Sequence, residues 1–378
     1  MKINKLFLLA SIFIAVCCIT ACTSEDDETD ATSAANTFDR SLMLSNWADN
    51  IIVPAYENFA EETNALRVAS KTFQTEPNSE HLSALRTQWE NAYVSWQNVE
   101  MFNIGPAQDV LLRSFINTYP TNTSNIEGFI QNQDYNLMDS NLNDEQGFPA
   151  LDYLLYGVAD TDNDIIDVYN NSTNGDHYAK YLNDVSERID NLANEVLENW
   201  QNNYRDIFVD NSGSSANSST NRMANIFMEF YEVRLRNGKI GFPSGVFSNG
   251  TPDPSRVEGM YSKTLSKKLS LTALDAHQDF FNGKATNTST TAESFADYLN
   301  FLNTLKDGDS LTSLINSQYD TAKANISALD DSFYHQINTN NTALLEAFES
   351  LQDNVVFLKS DMFSALSIAL EFDSGDGD

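Results

Sequence analysis

Five charged residues stand where the surrounding sequence is built for a core. In "GFPALDYLLYG" (residues 147–157) Asp152 is the one charged residue among apolar, aromatic, Gly and Pro neighbours. Glu100 ends an apolar stripe that runs through Leu82, Leu85, Trp89, Tyr93 and Trp96, because one more helical turn lands on it. Arg234 and Lys239 lie in "RLRNGKIGFPSG", with Arg236 between them, and Glu258 follows in "VEGMYSK" close to Tyr261. An unpaired carboxylate in a core is costly. These acids therefore call for partners, and Arg234, Arg236 and Lys239 are the natural ones for Glu100, Asp152 and Glu258. Such a cluster can clamp two parts of a fold, bind a small ligand, or hold a cation through Asp152 and Glu100.

Pro149 suits the first turn of a helix, where its missing N–H would have no partner. Asp152 is then expected near the helix start, with Phe148 and Leu155 on its face and the helix dipole in its favour. Other chemistry is weakly supported. Asp160, Asp162 and Asp164 imitate the start of a calcium loop, but Ile165 replaces the needed Gly and Asn171 the final Glu, which predicts a polar loop. The four histidines (His81, His177, His277, His335) share no metal-ligand spacing and are expected on helix surfaces or starts. No phosphate loop, dinucleotide fingerprint or Gly-x-Ser-x-Gly motif is present.

The elements that must position these residues are helices. Besides the 82–100 stripe, with Asn78 as its cap, the set Tyr181, Val185, Ile189, Leu192, Val196, Trp200 and Tyr204 has helical spacing. So has the set Leu344, Phe348, Leu351, Val355, Leu358 and Met362, and a further helix holds Leu265, Leu269 and Leu274 and reaches about Phe281. The best strand candidate is "IALEF" (368–372). The fold class read from this is all-α, two helical bundles packed against each other. Residues 37–209 form the first bundle, the polar stretch 210–221 ("DNSGSSANSSTN") a linker, and residues 222–378 the second bundle with an acidic tail. "EMFNIGPAQD" and "RLRNGKIGFPSG" echo one another, each leaving a helix through an Ile-Gly turn, which raises the prospect of duplication.

The chain is expected to be exported. Lys2 and Lys5 precede a short apolar stretch, Leu6 to Val16, and residues 1–21 have the layout of a signal peptide. Ile19-Thr20-Ala21-Cys22 resembles a lipobox, which makes Cys22 the lipidation site and residues 22–36 an acidic tether. The three cysteines all lie in this region, so cleavage before Cys22 leaves no second thiol for a disulfide, a zinc site or a nucleophile. Net charge is −32, and −34 once Lys2 and Lys5 are removed. That surface repels nucleic acid. The expected location is the outer membrane of a Gram-negative bacterium, facing the periplasm or the surface. The lipid on Cys22 would be the anchor, and the mature chain would have no transmembrane helix.

Five ordered blocks (89–109, 147–157, 234–245, 257–283 and 357–378) resemble the imelysin family, whose members are also classed as metallopeptidases. The resemblance implies a two-domain helical fold, a functional site where the domains meet, and roles in periplasmic or outer-membrane processes, often iron uptake. The family signature Gly-x-His-x-x-Glu reads here as Gly147, Pro149 and Asp152. Proline offers no side-chain ligand, so the reading leans away from an enzyme. The expected function is a ligand- or cation-binding lipoprotein whose inter-domain site comprises Glu100, Asp152, Arg234, Lys239, Glu258 and Tyr261. It would take a small ligand or an uptake receptor as partner, require no certain cofactor, and admit a divalent cation or iron. The alternatives are a metal-dependent peptidase with an altered signature and a structural surface lipoprotein.

Overall fold

Apolar residues three and four apart recur along most of the chain, and the chain answers with helices. The computed structural model describes residues 37–372. The segment expected as a signal peptide, the whole expected tether with Cys22, and the last six residues of the acidic tail lie outside the described residues. Thirteen helices can be named among the described residues. α1 spans 40–75 and α2 Ser79–Trp96. Three short helices follow: α3 (Pro106–Asp109), α4 (Leu112–Ile116) and α5 (Thr123–Asn132). Next come α6 (147–157), α7 (Asp162–Asn171), α8 (175–210) and α9 (219–244). α10 (Ser266–Phe281), α11 (Phe295–Phe301), α12 (Leu311–Ser327) and α13 (333–366) complete the set. The strands β1 (Leu305–Lys306) and β2 (Asp309–Ser310) form a small antiparallel hairpin. The molecule is all-α.

Capping follows the sequence. Asn78 accepts the His81 amide and starts α2, and Asp39 accepts the Ser41 and Leu42 amides and starts α1. Five helices widen into π-helical stretches, at Trp47–Ile52, Tyr153–Gly157, Trp200–Tyr204, Phe230–Gly241 and Val356–Met362. In α1 and α9 a proline (Pro54, Pro243) stands just after the widened stretch. It lacks the N–H of an ordinary helical turn, and the wider turn accommodates its ring.

The long part of α1 packs against α2 and α8, and α13 packs against α12 and the widened part of α9. One hydrophobic core runs through both sets. Trp47, from the start of α1, packs its ring against Phe280 of α10 and Phe295 of α11, and Phe102 also meets Phe280. Residues 211–218 form the polar turn between α8 and α9.

Three expectations are corrected. Residues 368–372 form no strand: the Asn225 side chain donates to the Ala369 carbonyl and accepts the Glu371 N–H, while Ile368 is buried and Phe372 packs against the core. The stretch expected as a polar loop from Asp160 contains α7. Thr161 caps it by accepting the Asp164 amide, and Ile165 and Tyr169 are buried. The echo between the two Ile-Gly segments does not extend to backbone geometry. Gly105 stands at the start of α3 with φ of 51°, whereas Gly241 stays helical at −65°.

Candidate functional site

Lys239 sits in the widened part of α9, where the backbone is wound away from ordinary helical register. Its ammonium is buried and all three of its hydrogen-bonding directions are used. Nζ donates to Gln97 Oε1 at 2.7 Å, to Glu258 Oε2 at 2.7 Å and to Glu100 Oε2 at 3.4 Å. Burial works against its charge, but the Glu100 and Glu258 carboxylates outweigh it and hold the lysine pKa above its ordinary value.

The two acids are served unequally. Glu258 takes the short bonds, from Lys239 and from Asn117 Nδ2 at 2.8 Å, with Gln97 Nε2 at 3.2 Å. Glu100 receives only the long ones, from Lys239 at 3.4 Å and from Asn117 Nδ2 at 3.4 Å. Tyr93 donates its hydroxyl to Asn117 Oδ1 at 2.7 Å, which fixes the amide orientation. Glu100 is 5 % exposed and Glu258 2 %. One ammonium therefore answers two buried carboxylates, and the under-served one, Glu100, lines a cavity of about 210 Å³.

Arg113, Tyr119, Arg234, Gly238 and Arg256 line the same cavity. Glu229 bridges two of the arginines, accepting from Arg113 Nη1 at 2.8 Å and from Arg234 Nε at 2.9 Å. Arg256 pairs through Nε with Asp253 at 3.2 Å. Arg113 also caps the turn after α2 by donating to the Glu100 carbonyl. Tyr119 is pushed well above its ordinary pKa by burial and by the Glu258 and Glu100 charges, with Arg234 pulling the other way.

Tyr119 also lines a second, smaller cavity of about 120 Å³, shared with Pro149, Asp152 and Tyr261. Asp152 is 2 % exposed. Its partners correct the expectation of a cationic one. Oδ2 accepts the Tyr261 backbone N–H at 2.7 Å and Oδ1 the Ser262 N–H at 2.9 Å. Burial pushes its pKa up to about 7 even though the two amides pull it down. Asp152 is also the sixth residue of its helix, beyond the first turn, so helix-start electrostatics are not what holds it. Pro149, the third residue, does occupy the first turn.

Gly147 has a backbone reason to be glycine. Its φ is 80°, and a Cβ there would lie 2.2 Å from the Ile116 carbonyl oxygen. That close approach sets α6 against the end of α4, beside Asn117. Tyr261 contributes its backbone amide to Asp152 and packs its ring on Tyr153 at 5.2 Å.

The fold thus brings Glu100, Lys239 and Glu258 together, places Arg234 at the neighbouring cavity, and puts Asp152 with Tyr261 in the adjoining one. Asp152 and Glu100, named as a cation pair from sequence, are engaged by different partners. Among the described residues no group of three or more His, Cys, Asp or Glu is arranged to hold a metal ion. Arg236 does not join the cluster either. Its guanidinium stacks over Phe348 at 3.9 Å. His277 is corrected from a helix-surface residue to a fully buried one, bonded to the Tyr319 hydroxyl at 2.7 Å and the Phe227 carbonyl at 2.9 Å. Burial lowers its pKa to about 3.

Gln97, Asn117, Arg113, Tyr119 and Arg256 were not anticipated. Gln97 had a signal, since it lies one turn beyond Tyr93 on a buried face. The others stand on short helices and turns whose partners are remote in sequence.

Comparison with known proteins supplies the lineage. The family model for imelysin matches residues 52–361. The chain belongs to the imelysin family. Iron-regulated protein A of Synechococcus elongatus is 26 % identical over 117 residues, 31 % of this chain and 32 % of that protein. The match thus spans about a third of that relative. Two crystal structures share the fold. One is of a protein named as an iron-regulated protein A precursor of Parabacteroides distasonis, with a TM-score of 0.71 at 16 % identity, covering 88 % of this chain and 97 % of the other. The second is an imelysin-like protein of Psychrobacter arcticum, with a TM-score of 0.67 at 17 % identity and the same coverages, 88 % and 97 %. In this imelysin-family chain the signature segment carries Gly147 and Asp152 into the structure as a backbone contact and a buried acid, while Pro149 lines the smaller cavity.

Proposed function

We propose that this chain is an exported imelysin-family lipoprotein, anchored through Cys22, that binds a small ligand in the 210 Å³ cavity as part of iron or other nutrient uptake at the outer membrane. The observation that carries the reading is the incomplete neutralisation beneath the cavity. Glu100 and Glu258 share the single ammonium of Lys239, and Glu100 keeps only long hydrogen bonds where it meets the open space. A buried carboxylate left so is costly unless a further donor reaches it. A ligand entering the cavity can supply that donor. The iron-regulated names of the relatives support the setting of the role.

The reading is tested by thermal-shift and calorimetric screening of the purified chain against metal salts, haem, peptides, glycans and small metabolites, beside the variant Gly238→Met. Gly238 lines the cavity, its φ is not positive, and an added Cβ would have the Val233 carbonyl at 3.3 Å and the Tyr119 hydroxyl at 3.7 Å as nearest neighbours. A longer side chain there fills the cavity from its wall. A ligand that stabilises the wild type and is lost in Gly238→Met supports the proposal. Binding unaffected by the plug, or no binding at millimolar concentrations by a folded chain, overturns it.

A further inference from the structure

We propose that the ligand of this cavity is a small zwitterion, its ammonium on Glu100 and its carboxylate on the guanidinium groups of Arg234 and Arg256. The inference rests on the cavity-binding reading above and names the ligand class. The walls of the cavity carry both signs of charge. The acceptor among them is Glu100, 5 % exposed, with both carboxylate oxygens at 3.4 Å from their protein donors. A primary ammonium is the compact donor that completes such a carboxylate.

Arg234 and Arg256 supply donors to the same walls. Arg234 uses Nε on Glu229 and Arg256 uses Nε on Asp253. Among the described residues neither guanidinium bonds a protein acceptor through its Nη nitrogens. That leaves the outer edge of each planar fork available, and the fork matches a carboxylate. Glu229 holds Arg234 and Arg113 at once, and the Phe242 ring lies 5.4 Å from the Arg256 guanidinium, so both forks have fixed supports. Tyr119 adds a phenol to the same wall and has no protein hydrogen bond among the described residues.

The two kinds of charged group select against simpler ligands. A bare cation would suit Glu100 but would face the guanidinium groups as a like charge. A simple carboxylate would suit the arginines and leave Glu100 without its donor. The volume, about 210 Å³, is small for a binding pocket and suits a molecule of amino-acid size rather than a polymer.

The test is calorimetric titration of the full chain with glycine, β-alanine, γ-aminobutyrate, 6-aminohexanoate and glycylglycine. Acetate, propionate, methylamine and Mg²⁺ or Zn²⁺ salts are titrated alongside. The expected result is at least one zwitterion binding ten-fold or more tighter than every single-ended probe. The spacing that wins reports the distance between the two kinds of charged group, and glycylglycine against the free amino acids tells a peptide from an amino acid. Glu100→Gln should remove ten-fold or more from zwitterion affinity and leave carboxylates unchanged. Arg234→Ala with Arg256→Ala should abolish the preference for carboxylate-bearing probes. Both arginines are about half exposed, so this variant reads the proposal even where Glu100→Gln fails to fold. Amines or metal ions binding as tightly as zwitterions, with Gly238→Met blocking them, overturn the ligand class and leave the cavity reading standing. Binding of other screened compounds that ignores Gly238→Met removes both.

Discussion

Two buried acid sites flank Tyr119, and the molecule satisfies them by different means. Glu100 and Glu258 are gathered by a cation, with amide side chains from Gln97 and Asn117 around it. Asp152, one cavity away, is held by two backbone N–H groups of the turn at Tyr261 and Ser262. A cation brings charge from outside the acids' own segments and leaves the balance open to a further ligand. Backbone amides bring directed dipoles and no net charge, so the Asp152 proton stays close to neutrality in its titration. The first site is the one we propose to bind a ligand, and the second ties α6 to the loop that carries Glu258.

The strongest way to break that contrast is at Lys239. Lys239→Met leaves two buried carboxylates without a cation and should cost about 3–5 kcal/mol. Urea unfolding with an unchanged m value measures it. Adding Glu100→Gln and Glu258→Gln to the same chain should restore much of the loss, as expected for one coupled network.

Asp152 should respond to pH instead. Its carboxyl is raised from 3.8 to about 7. Between those values the folded chain keeps a proton that the unfolded chain has released. Its contribution to stability is therefore fully present below 3.8 and lost as pH rises through about 7. The slope is up to about 1.4 kcal/mol per pH unit. Glu145 is also raised to about 7 by burial and has the same sign, so the informative quantity is the stability of wild type minus that of Asp152→Asn. That difference should fall from pH 5 to about pH 7 and level off above it; a flat difference across pH 5 to 7 would detach the titration from Asp152.

Smaller changes sharpen the comparison. Pro149→His restores the signature residue on the wall of the 120 Å³ cavity, and its new N–H falls in the first helical turn, where none is needed. Melting should move by no more than about 1 kcal/mol. Arg234→Ala removes a half-exposed pair with Glu229 and should change stability by about 0.5 kcal/mol or less. Its effect belongs to ligand titrations rather than to melting.

Much of the scaffold was legible residue by residue. The stripes through Trp89 and Tyr93, Ile189 and Val196, and Phe348 and Leu351 became buried helix faces, because a period of 3.6 with large apolar side chains has one low-cost solution in water. Glu100 was legible for the same reason, since it continues a stripe that had to be buried. Lys239 and Glu258 were legible as a concentration of charge. The partner of Asp152 was not. Backbone N–H groups are present at nearly every position and leave no mark in a sequence, so a cation was the expected partner. Asn117 and Tyr119 were equally hidden, as ordinary polar residues on a short helix and turn. α7 was missed because its aspartates read as loop, while two buried residues, Ile165 and Tyr169, suffice to pin a short helix to the core.

The sequence by itself determined the helices, the lineage and the presence of acids in apolar settings, since propensity, periodicity and motif order are properties of neighbouring residues. Only the tertiary structure decided which acid met which donor. That choice depends on bringing residues 97, 100, 117, 239 and 258 within hydrogen-bond distance, across separations that local spacing does not encode. It also left Glu100 with the long bonds and the cavity, a division of one ammonium between two carboxylates that is set by distances of tenths of an ångström.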